Sequence, residues 1–240
     1  ARHPVSAGLH KTANDLKEQR TGFGLSGFYT LRPGRIPYRA GLVLQQRLLA
    51  GKKPGTADFL VLLEHPPVIT LGSGAKEFRP LAEPDFFHNR GIEVIRAGRG
   101  GETTYHGPGQ LIAYPIVSLD PIGRDLHRFL RLLEEVLIRV LLSFGTPGEK
   151  LAGKTGAWVA GRKIASIGIG VRKWISWHGC ALNVGGDLSP FRAIVPRGLA
   201  GVEMTSMAEC LGDEPLRAEV EAGFIRSFAE VFASKHLGDW

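Results

Sequence analysis

Apolar positions fall into runs with two different spacings along this chain. Between Arg124 and Phe144, the residues Leu126, Phe129, Leu130, Leu133, Val136, Leu137, Val140 and Leu141 recur at three- and four-residue steps, which puts them on one face of a helix. Leu216, Val220, Phe224, Phe228 and Phe232 recur every four residues and predict a helix over about 215–233. Tyr38, Leu42, Leu48 and Leu49 predict another over about 37–50, closed by Gly51. Shorter runs lack the helical period. The runs 59–63 and 68–71, split by Pro66-Pro67, read as buried strands, as do 92–96 and 111–117. Three further strands are predicted over 157–159, 163–171 and 174–184, separated by Gly161 and Lys173. Helices and strands mix without strict alternation, so the pattern predicts an α+β fold on a mixed sheet. Residues 1–24 are polar and basic with no apolar period; they read as a flexible N-terminal extension ahead of a single domain over 25–240.

Composition narrows the classes. A hydrophobic share of 43% with 22% charged residues is that of a globular protein and excludes wholesale disorder. No apolar run approaches the ~18 residues of a membrane span, and no apolar leader precedes the patterned region. The expected setting is therefore cytoplasmic, with no membrane. Two cysteines, Cys180 and Cys210, cannot build a disulfide framework or a four-cysteine metal site. His106 and His178 have no ligand-spaced partner, so neither a metal nor a cofactor is expected. The formal charge of +7 suits an acidic partner, and no basic helix face or aromatic–basic interleaving points to nucleic acid. Glycine reaches 32 residues of 240, roughly twice the usual ~7%, which directs attention to glycine-rich loops.

One such stretch is misleading. Gly148-Glu149-Lys150-Leu151-Ala152-Gly153-Lys154-Thr155 matches the phosphate-loop pattern G-x-x-x-x-G-K-[ST]. That loop works between an incoming strand and an outgoing helix. Here a helical pattern leads in and a strand pattern leaves, so no nucleotide role is assigned.

Three other blocks concentrate hydrogen-bonding side chains and close-approach glycines. The first is Arg99-Gly100-Gly101-Glu102-Thr103-Thr104-Tyr105-His106-Gly107-Pro108-Gly109-Gln110. Four glycines and a proline in twelve residues read as a shaped loop whose backbone approaches a ligand, or else as an ordinary connector. The second is Gly161-Arg162-Lys163-Ile164-Ala165-Ser166-Ile167-Gly168, and the third is Ser176-Trp177-His178-Gly179-Cys180-Ala181-Leu182-Asn183-Val184.

These blocks resemble the octanoyl-[acyl-carrier-protein]:protein N-octanoyltransferases, or lipoyl(octanoyl) transferases. Gly156-Ala157-Trp158-Val159, the segment from Leu63 to Gly72, and Val202-Glu203-Met204-Thr205-Ser206-Met207 extend the likeness in unbroken order over about 38–212. The resemblance implies the biotin/lipoate protein ligase catalytic fold. It also implies transfer of octanoyl from octanoyl-acyl carrier protein to a lysine of lipoyl domains, those of 2-oxoacid dehydrogenases and the glycine cleavage H protein. A thioester is already activated, so no ATP is implied. Lys163 carries over as the catalytic lysine. Arg99 to His106, Ser166 to Gly168 and Gly179 to Ala181 carry over as the acyl-binding set, supplying backbone N–H donors and a floor for the chain.

The sequence departs from this pattern where the family nucleophile belongs. Pro196-Arg197-Gly198 stands where the family has Pro-Cys-Gly, and a guanidinium cannot form a thioester. Three readings remain open. Cys180 is a relocated nucleophile, its thiolate favoured by Lys163 and Arg197; or Cys180 is a small core residue alternating with Leu182 and Val184, and Lys163 assists direct transfer; or the protein is a silent binder of acyl carrier protein or lipoyl domains. Cys210 reads as structural, and His178 as a hydrogen-bonding wall residue.

Overall fold

The computed structural model describes residues 24–53, 55–75, 80–194 and 202–240. The extension read over 1–24 lies, Gly24 apart, outside these residues, and so does Arg197. In chain order the elements are β1 (Phe28–Arg35), α1 (Tyr38–Gly51), β2 (Asp58–Glu64), β3 (Val68–Leu71), α2 (Pro84–His88), β4 (Glu93–Arg96), β5 (Thr103–His106) and β6 (Gln110–Ile116). A 3-10 turn at Asp120–Ile122 leads into α3 (Leu126–Ser143). Then come β7 (Glu149–Leu151), β8 (Lys154–Val159), β9 (Arg162–Arg172), β10 (Ile175–Asn183), α4 (Ser189–Arg192), α5 (Met207–Leu211), α6 (Arg217–Val231) and β11 (His236–Asp239).

Eight strands form one mixed sheet in the order β11-β1-β2-β6-β10-β9-β8-β7, and β4-β3-β5 form a small second sheet. β1 runs parallel to β2 and to β11, whereas β2–β6, β6–β10 and β10–β9 are antiparallel. The α+β architecture predicted from the sequence is the one observed.

Both faces of the large sheet are covered, which explains why strand 59–63 is an unbroken apolar run rather than an alternation. Leu60 and Leu62 pack with Phe129, Leu133 and Val136 of α3 and with Phe224 and Phe228 of α6. Val61 and Leu63 point the other way, toward Leu48 of α1, Ile112 and Tyr114. α3 is started by Asp125, whose carboxylate accepts from the Arg128 N–H at 2.9 Å. Its apolar stripe contains one acid, the fully buried Glu134, held by Arg131 at 2.7 Å and by the Gly156 N–H at 3.1 Å.

The long elements lie within two or three residues of the predicted bounds. The hydrophobic pattern passed over β1, β11 and the short helices α2, α4 and α5. β1 carries the polar segment Arg32–Arg35 at its exposed end, and β11 has only four residues. β5 falls inside what the sequence presented as a loop. It forms because Thr103–His106 pair with β3 in antiparallel register, Val68 opposite His106. The phosphate-loop look-alike is a hairpin: β7 turns into β8 with Leu151 opposite Lys154 and Gly153 at φ 74°. Among the described residues no helix is long and apolar enough to cross a membrane.

Phe228 lies fully buried at the centre of an aromatic group, its ring 5.0 Å from Phe28 and 4.5 Å from Phe232. Phe228→Ala is expected to lower unfolding stability by about 3–5 kcal/mol, as large-to-small core substitutions do. Urea denaturation followed by circular dichroism measures it.

Candidate active site

The sequence blocks meet where the small sheet leans on the edge of β9. Arg99 makes the joint. Its buried guanidinium donates to Thr70 O at 2.6 Å, to Thr70 Oγ1 at 2.7 Å and to Gly100 O at 3.0 Å. The Gly100 N–H donates to Ile169 O at 2.8 Å, stitching the glycine loop to β9. Side chains are excluded from this joint. A Cβ on Gly72 would collide with Gly101 O and sit 2.7 Å from Arg99 Nη1, and one on Gly168 would meet Gly100 O at 3.0 Å.

Beside the joint lies a cavity of about 290 Å³. That is near the lower end of the ~300–1,000 Å³ range of ligand pockets, a size for a small acyl chain. Arg99, Gly101 to Thr104, and His106 border it from the first block; Ser166 to Gly168 and Gly179 to Ala181 border it from β9 and β10. Two of the expected binding residues do not. Tyr105 turns away and packs edge-on to Phe191 at 5.5 Å, and Gly100 is used in the joint to β9. A polar relay ties the blocks together. His106 Nδ1 lies 3.2 Å from Gln110 Oε1, Gln110 Nε2 donates to Asn183 Oδ1 at 3.0 Å, and Asn183 Nδ2 donates to Thr205 O at 2.9 Å.

Cys180 and Ala181 are paired with β9 on one side and β6 on the other, so their N–H groups serve the sheet. β9 is different. Its Ile169 O faces outward to Gly100, and Ala165 pairs outward with Ala157 of β8. Because N–H and C=O of one residue share an edge and alternate along a strand, Ile167 also faces outward. It does so in the gap between the end of β8 and the glycine loop, beside the cavity.

Lys163 is the second residue of β9 and borders the same cavity. Its neighbour Gly156 lies at φ 126°, and a Cβ there would run into Ala165 O and come within 2.9 Å of Lys163 Cε. The ammonium stands 5.4 Å from the centre of the Trp158 ring, and Lys154 stands 5.2 Å from the same ring. Burial lowers the Lys163 pKa to about 8; Glu134 opposes the shift and Lys154 adds to it.

Cys180 has the surroundings of a core residue. It shares a packing cluster with Leu182 and Val184, while Ala181 belongs to the cluster on the opposite face. Burial pushes its thiol up to about 12, and no cation among the described residues offsets the shift. Of the two cations expected to favour its thiolate, Lys163 does not lower the thiol, and Arg197 lies outside the described residues. Cys210, the other free cysteine, is half-buried at the end of α5.

Sequence reasoning missed Tyr38, Tyr114, Met204 and the Gly153-Lys154-Thr155 turn, all of which border the cavity. Tyr38 and Tyr114 were hidden as apolar periodic positions. The turn carried a signal, its match to the phosphate loop, with the wrong chemistry attached.

The model for the lipoyl protein ligase A/B catalytic domain matches residues 37–229. An octanoyltransferase of Geobacter metallireducens is 47% identical over 180 residues, covering 75% of this chain and 81% of its own. One from Chloroflexus aurantiacus is 47% identical over 204 residues, covering 83% and 92%. Among solved structures, lipoate-protein ligase A bound with ATP superposes with a TM-score of 0.74 at 20% identity, covering 90% of this chain and 88% of that one. The bipartite lipoate protein ligase of Thermoplasma acidophilum does so with a TM-score of 0.73, also at 20% identity, covering 90% and 87%. At that identity the likeness speaks for the fold.

Two substitutions are expected to move the Lys163 titration in opposite directions. Lys154→Met removes a repelling cation and raises the Lys163 pKa above about 8, whereas Glu134→Gln removes an attracting anion and lowers it. Lysine-selective NMR titration reads both shifts.

Proposed function

We infer that this chain, which belongs to the lipoyl protein ligase A/B catalytic-domain family, transfers an octanoyl group in lipoate biosynthesis, the activity for which its relatives are named. The observation that carries the reading is Lys163, a buried amine with a lowered pKa beside a small cavity. We take the donor to be octanoyl-acyl carrier protein and the acceptor to be a lysine on lipoyl domains of 2-oxoacid dehydrogenases and on the glycine cleavage H protein. The net charge of +7 supports an acidic donor. The setting is cytoplasmic.

Transfer follows from the residues at the cavity. The octanoyl chain lies along β9 and β10, and the outward Ile167 N–H donates to the thioester carbonyl, where negative charge develops. The amine of the acceptor lysine attacks the carbonyl carbon and a C–N bond forms. Neutral Lys163 takes the proton lost from the attacking nitrogen. As the C–S bond breaks, Lys163 returns that proton to the leaving sulfur. The products are the octanoylated lysine and the free carrier thiol, so the balance closes with neither ATP nor an enzyme thioester. Covalent relay through Cys180 has less support, because a thiol pushed up to about 12 is protonated at neutral pH. The reactive form of Lys163 is the neutral amine, so kcat/KM gains a rise through about 8, on top of the rise at higher pH that deprotonation of the attacking acceptor amine brings.

Intact-mass spectrometry of octanoyl-acyl carrier protein, apo lipoyl domain and this protein, without ATP, tests the reading. The domain is expected to gain about 126 Da, octanoyl in place of one hydrogen. Lys163→Ala should slow transfer by about 10²-fold or more, and Cys180→Ala should leave it in place. A Cys180-dependent adduct on the protein would establish the covalent route instead. Neither transfer nor adduct would mark a silent binder.

A further inference from the structure

The turn that joins β9 to β10 is built from unusual residues. Arg172 pairs with Ile175, so the loop between them is Lys173-Trp174, and both residues lie in the left-handed region, at φ 50° and 60°. Such a hairpin turn ordinarily uses Asn and Gly, which tolerate that backbone. Here two large side chains are held in it at a conformational cost, and both are exposed. The turn is clipped to the chain ahead of α3. The Leu119 N–H donates to Trp174 O at 2.8 Å, and the Arg124 guanidinium stands 5.8 Å from the centre of the Trp174 ring.

A basic and aromatic surface results. Arg172, Lys173 and Arg124 gather at the indole, and Leu126 and Arg128 are exposed in the first turn of α3. The carboxylates of that turn are already engaged. Asp120 accepts from Arg124 at 2.7 Å, and Asp125 caps α3 by accepting from the Arg128 N–H. At Arg39 and Arg139 the guanidinium is matched by a carboxylate, whereas Arg172 and Lys173 have no acidic partner among the described residues.

The place of this surface decides what it can serve. β9 runs from the acyl cavity, which Ile167 and Gly168 border, to the tip. Arg172 and Lys173 lie ~17–20 Å beyond Ile167 at the rise of a strand. A lysine side chain reaches only ~6 Å from its backbone at ordinary bond lengths, so an acceptor protein has to dock at the mouth of the cavity itself. A carrier protein instead holds its acyl group on a phosphopantetheine arm, ~18 Å long when extended. A carrier seated on the β9–β10 tip thus has its thioester within reach of Ile167.

We propose that the β9–β10 tip and the start of α3 form the docking surface for the acidic carrier protein of the acyl donor. Arg172, Lys173 and Arg124 meet its carboxylates, and Trp174 supplies the apolar contact. The proposal rests on the acyl-transfer reading above and adds where the donor protein binds.

Two donors are compared with apo lipoyl domain as the acceptor: octanoyl-acyl carrier protein, and octanoyl-pantetheine, which keeps the thioester and lacks the protein. Arg172→Glu combined with Lys173→Glu is expected to lower kcat/KM for the carrier donor about tenfold at low salt, through KM, and to leave the pantetheine donor unchanged. The unchanged rate also reports that the variant is folded. Arg226→Glu combined with Lys235→Glu makes the same change in net charge at exposed cations elsewhere, and is expected to move either rate by less than about twofold. Equal losses in the two double variants, or no loss in the first, overturn the proposal. So does a loss confined to the KM of the lipoyl domain, which would give the surface to the acceptor. Binding of octanoyl-acyl carrier protein to the immobilised protein is measured alongside. If the parent transfers no octanoyl, the acyl-transfer reading fails, and the binding still decides the docking surface. Weakening of about tenfold in the first double variant alone supports it, and equal binding in both overturns it.

Discussion

The site depends on a buried positive charge that has no carboxylate partner among the described residues. Arg99 is held by neutral oxygens, those of Thr70 and Gly100. Those bonds tie the glycine loop to the small sheet, and the Gly100 N–H ties the loop in turn to β9, so that together they hold one wall of the cavity. The same charge acts on the rings around it. It adds to the burial that keeps His106 and His178 neutral, and it partly offsets the burial that raises Tyr38. A guanidinium suits this post because it offers several donors in a fixed plane and stays charged when buried. One residue thus sets both the shape of the cavity and the protonation of its lining.

The large sheet and the long helices were legible in the sequence because burial on one face or both leaves a strong apolar signal. α3 declares itself through eight apolar positions on one side, and β2 through an unbroken run. β1 and β11 were not legible. They are strands by pairing, one with an exposed charged end and the other only four residues long, and neither leaves a periodic trace. β5 was read as loop because glycines on both sides mask four residues whose strand character comes from β3. The candidate site was legible in part. The motif blocks named most of the cavity wall, yet spacing could not tell a residue that faces the cavity from one that turns away, as Tyr105 does. Nor could it foretell the left-handed backbone at His178 (φ 56°), whose N–H donates to the amide oxygen of Gln45, 133 residues away along the chain.

Core and site are joined through a single acid. Glu134 lies in the apolar stripe of α3, where a carboxylate is costly unless fully bonded. It accepts from the N–H of Gly156, the residue whose missing side chain makes room for Lys163. Its charge also opposes the burial that depresses the lysine. The helix that closes the core therefore reaches through β8 to set the basicity of the amine at the cavity.

The setting of Cys180 also bears on how the protein meets reactive small molecules. Oxidants and electrophiles attack thiolates, and they need access to the sulfur. Cys180 borders the acyl cavity, but a thiol pushed up to about 12 offers almost no thiolate at neutral pH. The half-buried Cys210, 3.7 Å from the Thr205 hydroxyl, is the better target of the two. Oxidative stress would therefore mark this protein first at the end of α5 and leave the acyl cavity chemically intact.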